Sequence, residues 1–266
     1  MEFSEILTSV NVASADNGAE FTDPTRIKAV IQCLQDTPYQ PLRAEGVAFV
    51  FAHRDYDARC ATVLISCHID HLYGHLWWTS STDGAYCGTF DNSITLSALL
   101  LTMCRTTLHP QTLVTFTGDE EDDGRGAEEA LAYLRSRSIE PELVICLDVT
   151  EEGYGKVHFT LENILPREEW PLSTKLHFAN AEEYCQFLYR MLGETAFTII
   201  EAEPDEAWVY DEDDINCFTL CLPAYCPDGM HADTGISIRQ ESIDPYMQAL
   251  ETICRQVCLY VANTSA

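Results

Sequence analysis

Basic residues are scarce in this chain. Only 15 Lys and Arg stand against 43 Asp and Glu, for a formal charge of −28. Such a surface repels phosphate backbones and anionic lipid, so neither nucleic acid nor a membrane surface is an expected partner. No stretch approaches the roughly 18 consecutive apolar residues of a membrane span. The opening "MEFSEILTSVNVASADNGAEF" lacks a basic segment followed by an apolar one, so no signal peptide is read there. The 12 cysteines lie mostly inside apolar runs such as "LISCHI" and "LVICLD", where Cys behaves as a small buried hydrophobe. A cytoplasmic, reduced protein is therefore expected. Cys217, Cys221 and Cys226 are the one tempting zinc trio, but they contain no CxxC pair and begin on a strand-like run.

Several catalytic signatures are missing too. There is no Gly-x-Ser-x-Gly elbow and no His-Glu-x-x-His helix, and "GRGAEEA" has too few glycines for a dinucleotide loop. Cys67 beside His68 could evoke a thiol nucleophile, but neighbours on a strand point to opposite faces, so Cys67 is expected in the core. The run Asp119 to Asp123 nearly scans as a calcium loop. It fails at the twelfth position, where Ala130 stands in place of a bidentate Glu.

What is present is alternation. Strand-length apolar runs (Gly46 to Arg54, Ala61 to Ile69, "TLVTFTG", "PELVICLDV", "KVHFTLEN", "FTIIEAE", "NCFTLCLPAY") interleave with helical patterns. The helices are "SITLSALLLTMCRTTL", "GAEEALAYLRSRS", "AEEYCQFLYRMLGE" and a long terminal one from Glu241 to Thr264. The first two runs read as neighbouring strands joined by the polar turn "DYDAR". Continuous apolar strands alternating with helices predict an α/β fold with a mainly parallel sheet covered on both faces. No repeat, linker or hinge divides the chain, so residues 1–266 are read as one domain. Ligands in such folds sit beyond the carboxyl ends of the strands.

Those ends carry the chemistry. Ala61–Cys67 runs into His68 and Asp70; Leu113–Thr117 runs into Asp119, Glu120 and Glu121; Leu143–Leu147 ends at Asp148. A Pro/Gly loop leads on to His231, and Asp91 opens a helix in "CGTFDNS". Carboxylates do not gather in a low-dielectric cleft without a cation, because each raises the other's pKa. Mixed His and carboxylate ligands suit zinc, with manganese or cobalt as alternatives. The parts would complete a site for two ions sharing a bridging carboxylate and a water.

In order, these motifs are His68-x-Asp70, Gly88-Thr89-Phe90-Asp91-Asn92-Ser93, Glu120-Glu121 before a Gly-x-Gly-Ala loop, Asp148 and a late His231. The set resembles the co-catalytic dizinc exopeptidase superfamily, and its "DNS" is closest to the bacterial leucyl-type aminopeptidase branch. The resemblance implies a three-layer α/β/α sandwich with a mixed, mainly parallel sheet, and the segments between the motifs leave little room for the separate lid domain that some relatives insert. It implies that His68 and Asp148 bind one zinc and Glu121 and His231 the other, with Asp91 bridging. Glu120 would be the general base, and Asp70 would orient His68 from behind. The implied activity is removal of amino-terminal residues from peptide or aminoacyl substrates. Glutaminyl cyclisation, carboxypeptidase or deacylase chemistry on the same residues, or a non-catalytic binding role, remain alternatives, and no oligomeric state is implied.

Other polar residues are read more plainly. His71 and His75 are expected to be structural or surface residues, with His75, Trp77 and Trp78 as an alternative substrate-pocket lining. Arg239 is expected to meet either a substrate carboxylate or an acidic neighbour. Glu203 to Asp214 reads as a solvated loop, with Asp122 and Asp123 as solvated neighbours of the site.

Overall fold

A computed structural model describes residues 1–12, 25–168, 174–193, 196–202 and 205–264. Two helices come first, α1 (Phe3–Val10) and α2 (Thr25–Leu34). In α1 the apolar Phe3, Ile6, Leu7 and Val10 recur at helical spacing and are buried, and Glu2 and Glu5 form a capping box. Strands β1 (Tyr39–Glu45), β2 (Ala48–His53), β3 (Thr62–His68), β4 (Trp78–Ser80) and β5 (Ala85–Gly88) precede α3 (Ser93–Arg105). Next come β6 (Thr112–Thr117), α4 (Arg125–Ser136), β7 (Pro141–Thr150), β8 (Thr160–Leu165) and α5 (Ala181–Leu192). The chain ends with β9 (Thr198–Ile200), α6 (Glu206–Glu212), β10 (Cys217–Tyr225), β11 (Ile236–Arg239) and α7 (Ile243–Asn263).

All the described strands form one 11-stranded sheet with the order β1-β2-β6-β3-β7-β10-β11-β5-β4, and β8 and β9 branch from β10. The centre, β6-β3-β7-β10, is parallel. The pairs β1–β2, β2–β6 and those running from β10 through β11 to β4 are antiparallel. One correction concerns β2 and β3. They are not neighbours, because β6 lies between them, antiparallel to β2 and parallel to β3. Every residue of β3 and β6 is buried, and strands buried on both faces pair within a parallel core rather than as a hairpin.

Alternation along the strands splits the apolar side chains into two layers. One face carries the larger cluster, with α1, α2, α3, α5 and α7; the other packs Val50, Leu64, Leu113 and Val144 against α4 and α6. The helix α3 is buried along nearly its whole length, which explains why its pattern is apolar on all sides. The expected α/β sandwich is thus present. No helix among the described residues is long and apolar enough to cross a membrane.

All 12 cysteines are free. Cys67 lies in the larger core cluster, and burial pushes its thiol up to about 12. Cys217 and Cys221 are likewise buried within β10. Oxidising conditions are therefore expected to leave the melting temperature of the folded chain unchanged. A rise in that temperature after oxidation, checked by thermal melts with and without reductant, would contradict this packing.

Candidate metal centre

The parallel centre of the sheet ends all its strands on one edge, where the polar residues gather. His68 is the last residue of β3, and Asp148 lies near the end of β7, opposite Cys221 of β10. The 119–124 loop follows β6. Gly126 lets α4 start against that loop, since a Cβ there would lie 2.4 Å from the Gly118 carbonyl oxygen. Asp119 takes a left-handed backbone, tolerated by Asp, and its carboxylate lies 2.5 Å from Arg125 Nη2. Asp91 precedes α3 through a cis peptide to Asn92. The Asn92 side-chain Nδ2 donates to the Leu147 carbonyl (2.6 Å), which sets Asp91 beside Asp148.

Asp91 is the hub. Its Oδ1 lies 3.2 Å from His68 Nε2, and its Oδ2 lies 3.1 Å from His231 Nε2. Asp148 Oδ1 is 3.5 Å from the same nitrogen of His68, and Glu121 Oε2 is 3.5 Å from that of His231. Two groups of ligand-type atoms result, His68–Asp91–Asp148 and Asp91–Glu121–His231, each within 4.8 Å. They share Asp91. A third grouping, His68–Glu120–Glu121, is as tight. It sits on the other side of the imidazole, where Nδ1 already faces Asp70 Oδ1 at 3.3 Å. The second oxygen of Asp70 accepts from the Glu121 amide (3.1 Å), so this one carboxylate holds both His68 and the acidic loop.

The electrostatics call for cations. Burial first, with neighbouring carboxylates adding to it, pushes Glu120 up to about 9, Glu121 to about 8 and Asp148 to about 7. His231 rises to about 9, chiefly through its hydrogen bond to Asp91. Burial disfavours the His68 imidazolium, yet Glu120, Asp148, Asp70 and Asp91 together hold its pKa well above the usual value. Glu121 Oε1 is buried without a hydrogen-bond partner, and Asp91 Oδ1 has only the nearby His68 Nε2 beside it. Buried carboxylates left short of donors beside two imidazoles are what a cation site presents, and this donor set suits zinc and similar first-row ions.

The strand-end residues therefore all converge: His68, Asp70, Asp91, Glu120, Glu121, Asp148 and His231. Asp122 and Asp123 are exposed, as expected. His71 is buried and stacked on Tyr73, while His75 is exposed. Trp77 Nε1 donates to the Asp233 carbonyl (2.9 Å), and Arg239 pairs with Glu241. The expectation for Glu203 to Asp214 needs correction. Residues 203 and 204 lie outside the described residues, but the remainder contains α6, capped by Asp205, with Glu206, Ala207 and Tyr210 buried. Ala207 and Tyr210 belong to the core opposite α3. Their helical spacing is masked by acidic neighbours, which lend the segment a solvated look.

Three further residues around the site carry no motif. Arg26 of α2 is buried and donates to the carbonyls of Ile69 and Asp70 (2.7 and 3.2 Å), closing the end of β3. Glu206 lies on the far side of the sheet with its Oε1 buried and unpartnered, and burial raises its pKa. Tyr73 is fully buried against the ring of His231.

No known protein-family profile matches the chain. No curated protein matches its sequence. Solved structures match its fold. One is a TET aminopeptidase from a marine sediment Thaumarchaeota archaeon, with a TM-score of 0.72 at 10% identity, covering 99% of each chain. Another is an aminopeptidase from the archaeon Desulfurococcus kamchatkensis, with a TM-score of 0.70 at 10% identity, covering 95% of this chain and 94% of that one. A tripeptidase from Staphylococcus aureus matches with a TM-score of 0.67 at 11% identity, covering 97% and 99%. The architecture is thus an aminopeptidase-type α/β fold over nearly the whole chain.

Proposed function

We propose that the chain is a zinc-dependent aminopeptidase, a single catalytic domain over residues 1–266 working on peptides or aminoacyl compounds. The observation that carries this reading is Asp91, whose two oxygens face two separate imidazoles, each with its own further carboxylate. His68 and Asp148 would hold one ion and Glu121 and His231 the other, with Asp91 between them. The peptidase fold of the solved relatives supports it, as do the motifs in their order along the chain. Free thiols throughout fit a reducing, cytoplasmic setting.

Bound there, two divalent ions would polarise the scissile carbonyl and make a water between them acidic near neutrality. The chain does the rest. Asp70 holds His68 in the tautomer that presents Nε2 to the site. Glu120, 3.9 Å from His68 Nδ1 and outside both groups that share Asp91, would be ionised by the nearby cations, which oppose the upward push of burial, and takes the proton from the attacking water. It then returns that proton to the leaving amine.

The test is elemental analysis after equilibration with zinc and desalting, followed by assay of free and N-acetylated peptides. Two ions per chain and release of the first residue from free peptides only are expected. Cleavage of the acetylated peptides alone would replace this reading with deacylation, and absence of both metal and turnover would end it. Because the ligand groups hold protons at neutrality, metal uptake should release protons, and apparent affinity should rise with pH.

A further inference from the structure

We propose that the segment Tyr73 to Trp77 is a strap that positions His231, with Tyr73 and Asp233 as its two fasteners. The inference rests on the metal-site reading above and assigns these residues a role in it. His231 needs such support. Four of the residues proposed to act at the metals belong to strand ends or to loops tied to them, but His231 lies beyond β10 in an irregular loop, with 44% of its side chain exposed. Nothing in that loop's own secondary structure fixes its distance from Asp91.

The strap supplies that distance. The Tyr73 hydroxyl donates to the Met230 carbonyl (2.8 Å), directly before His231. The same hydroxyl accepts from the Asp91 amide (3.3 Å). One oxygen atom thus joins the backbone beside the bridging carboxylate to the backbone beside the late imidazole. The Tyr73 ring meets the His231 ring edge-on, with centroids 6.3 Å apart. On the other side of His231, the Asp233 carboxylate accepts from the amides of Gly74 (2.9 Å) and His75 (3.3 Å). The Asp233 carbonyl accepts from Trp77 Nε1. His231 is therefore held from residues 230 and 233 by one short stretch. A Cβ on Gly74 would sit 3.1 Å from the Asp233 carboxylate, so that contact is close as well.

Groups that hold a metal-binding imidazole in place without touching the ion are each worth about 10- to 100-fold in metal affinity. Because the strap holds His231 from both flanks and meets Asp91 only at its backbone amide, its loss should fall chiefly on the ion that His231 would hold. The experiment is cobalt titration of the full chain, followed by visible absorption and by stoichiometry, for wild type, Tyr73→Phe, Asp233→Ala, His231→Ala and the Tyr73→Phe/His231→Ala double variant. Tyr73→Phe is expected to keep one equivalent near wild-type affinity and to weaken the second by about 10- to 100-fold. The weakened equivalent should be the one that His231→Ala abolishes, and Tyr73→Phe should add nothing in the His231→Ala background. Asp233→Ala, which removes the carboxylate acceptor at an exposed residue, should act in the same direction and covers the case in which Tyr73→Phe does not fold. Wild-type binding of both ions by Tyr73→Phe and Asp233→Ala would overturn the strap. Equal weakening of both ions would also overturn it, since that marks general loosening. A wild-type chain that binds no cobalt would overturn the metal-site reading itself, and the strap with it.

Discussion

Glu120→Gln is expected to keep both metal ions and lose about 10²- to 10⁴-fold in kcat, the usual worth of a positioned proton-transfer group. Two facts separate Glu120 from its neighbour. Glu121 lies in the group that holds Asp91 and His231, whereas Glu120 reaches toward His68 only on the side that Asp70 already occupies. Gln has nearly the same shape and still accepts a hydrogen bond, but it cannot take up a proton. Steady-state kinetics on an unblocked dipeptide, paired with metal analysis of the same preparation, checks this. Full metal with wild-type kcat would remove Glu120 from the proton-transfer role. Loss of one ion would instead make it a ligand and would require the site to be redrawn around the third grouping.

How far this site is legible in the amino-acid sequence depends on where each residue sits. His68, Glu120, Glu121 and Asp148 stand directly after apolar strand runs, and such positions in a parallel sheet share one edge. Asp91 is legible through its place at the head of an apolar helix. Tyr73 and Asp233 are not, because their role arises only when two loops more than 150 positions apart close on each other. Tyr73 sits in "HIDHLYGHLWW" among more conspicuous histidines and tryptophans. The order of strands is legible only in part. The runs themselves stand out, but β6 enters between β2 and β3 from far along the chain, and no local pattern announces it. The strands β11, β5 and β4, which lead out to one edge of the sheet, are three or four residues long, too short for alternation to show. In α6 the density of charge hides the helical spacing. Glu212 is exposed while Ala207 and Tyr210 fill the core and Glu206 is buried with them, and Gly124 of the acidic loop packs close to Val209.

Asp91→Ala is expected to abolish tight binding of both ions at once, a larger effect on metal content than loss of any other single ligand. His68 and Asp148 would remain for one ion and Glu121 and His231 for the other, leaving each site one protein ligand poorer. A single substitution on either flank, such as Glu121→Ala, should cost only the ion on its own side. The contrast can be read through stability as well as stoichiometry. A ligand that binds only the folded chain stabilises it by about 2.7 kcal/mol per site at a free concentration one hundred times its Kd. Wild type should therefore melt higher with zinc, Glu121→Ala should keep part of that rise, and Asp91→Ala should show none. Asp91→Asn repeats the test with the volume of the buried side chain preserved, so that a cavity is not mistaken for a missing bridge. If Asp91→Asn keeps two ions and the full rise in melting temperature, the carboxylate is not shared, and the two-ion arrangement built on it fails.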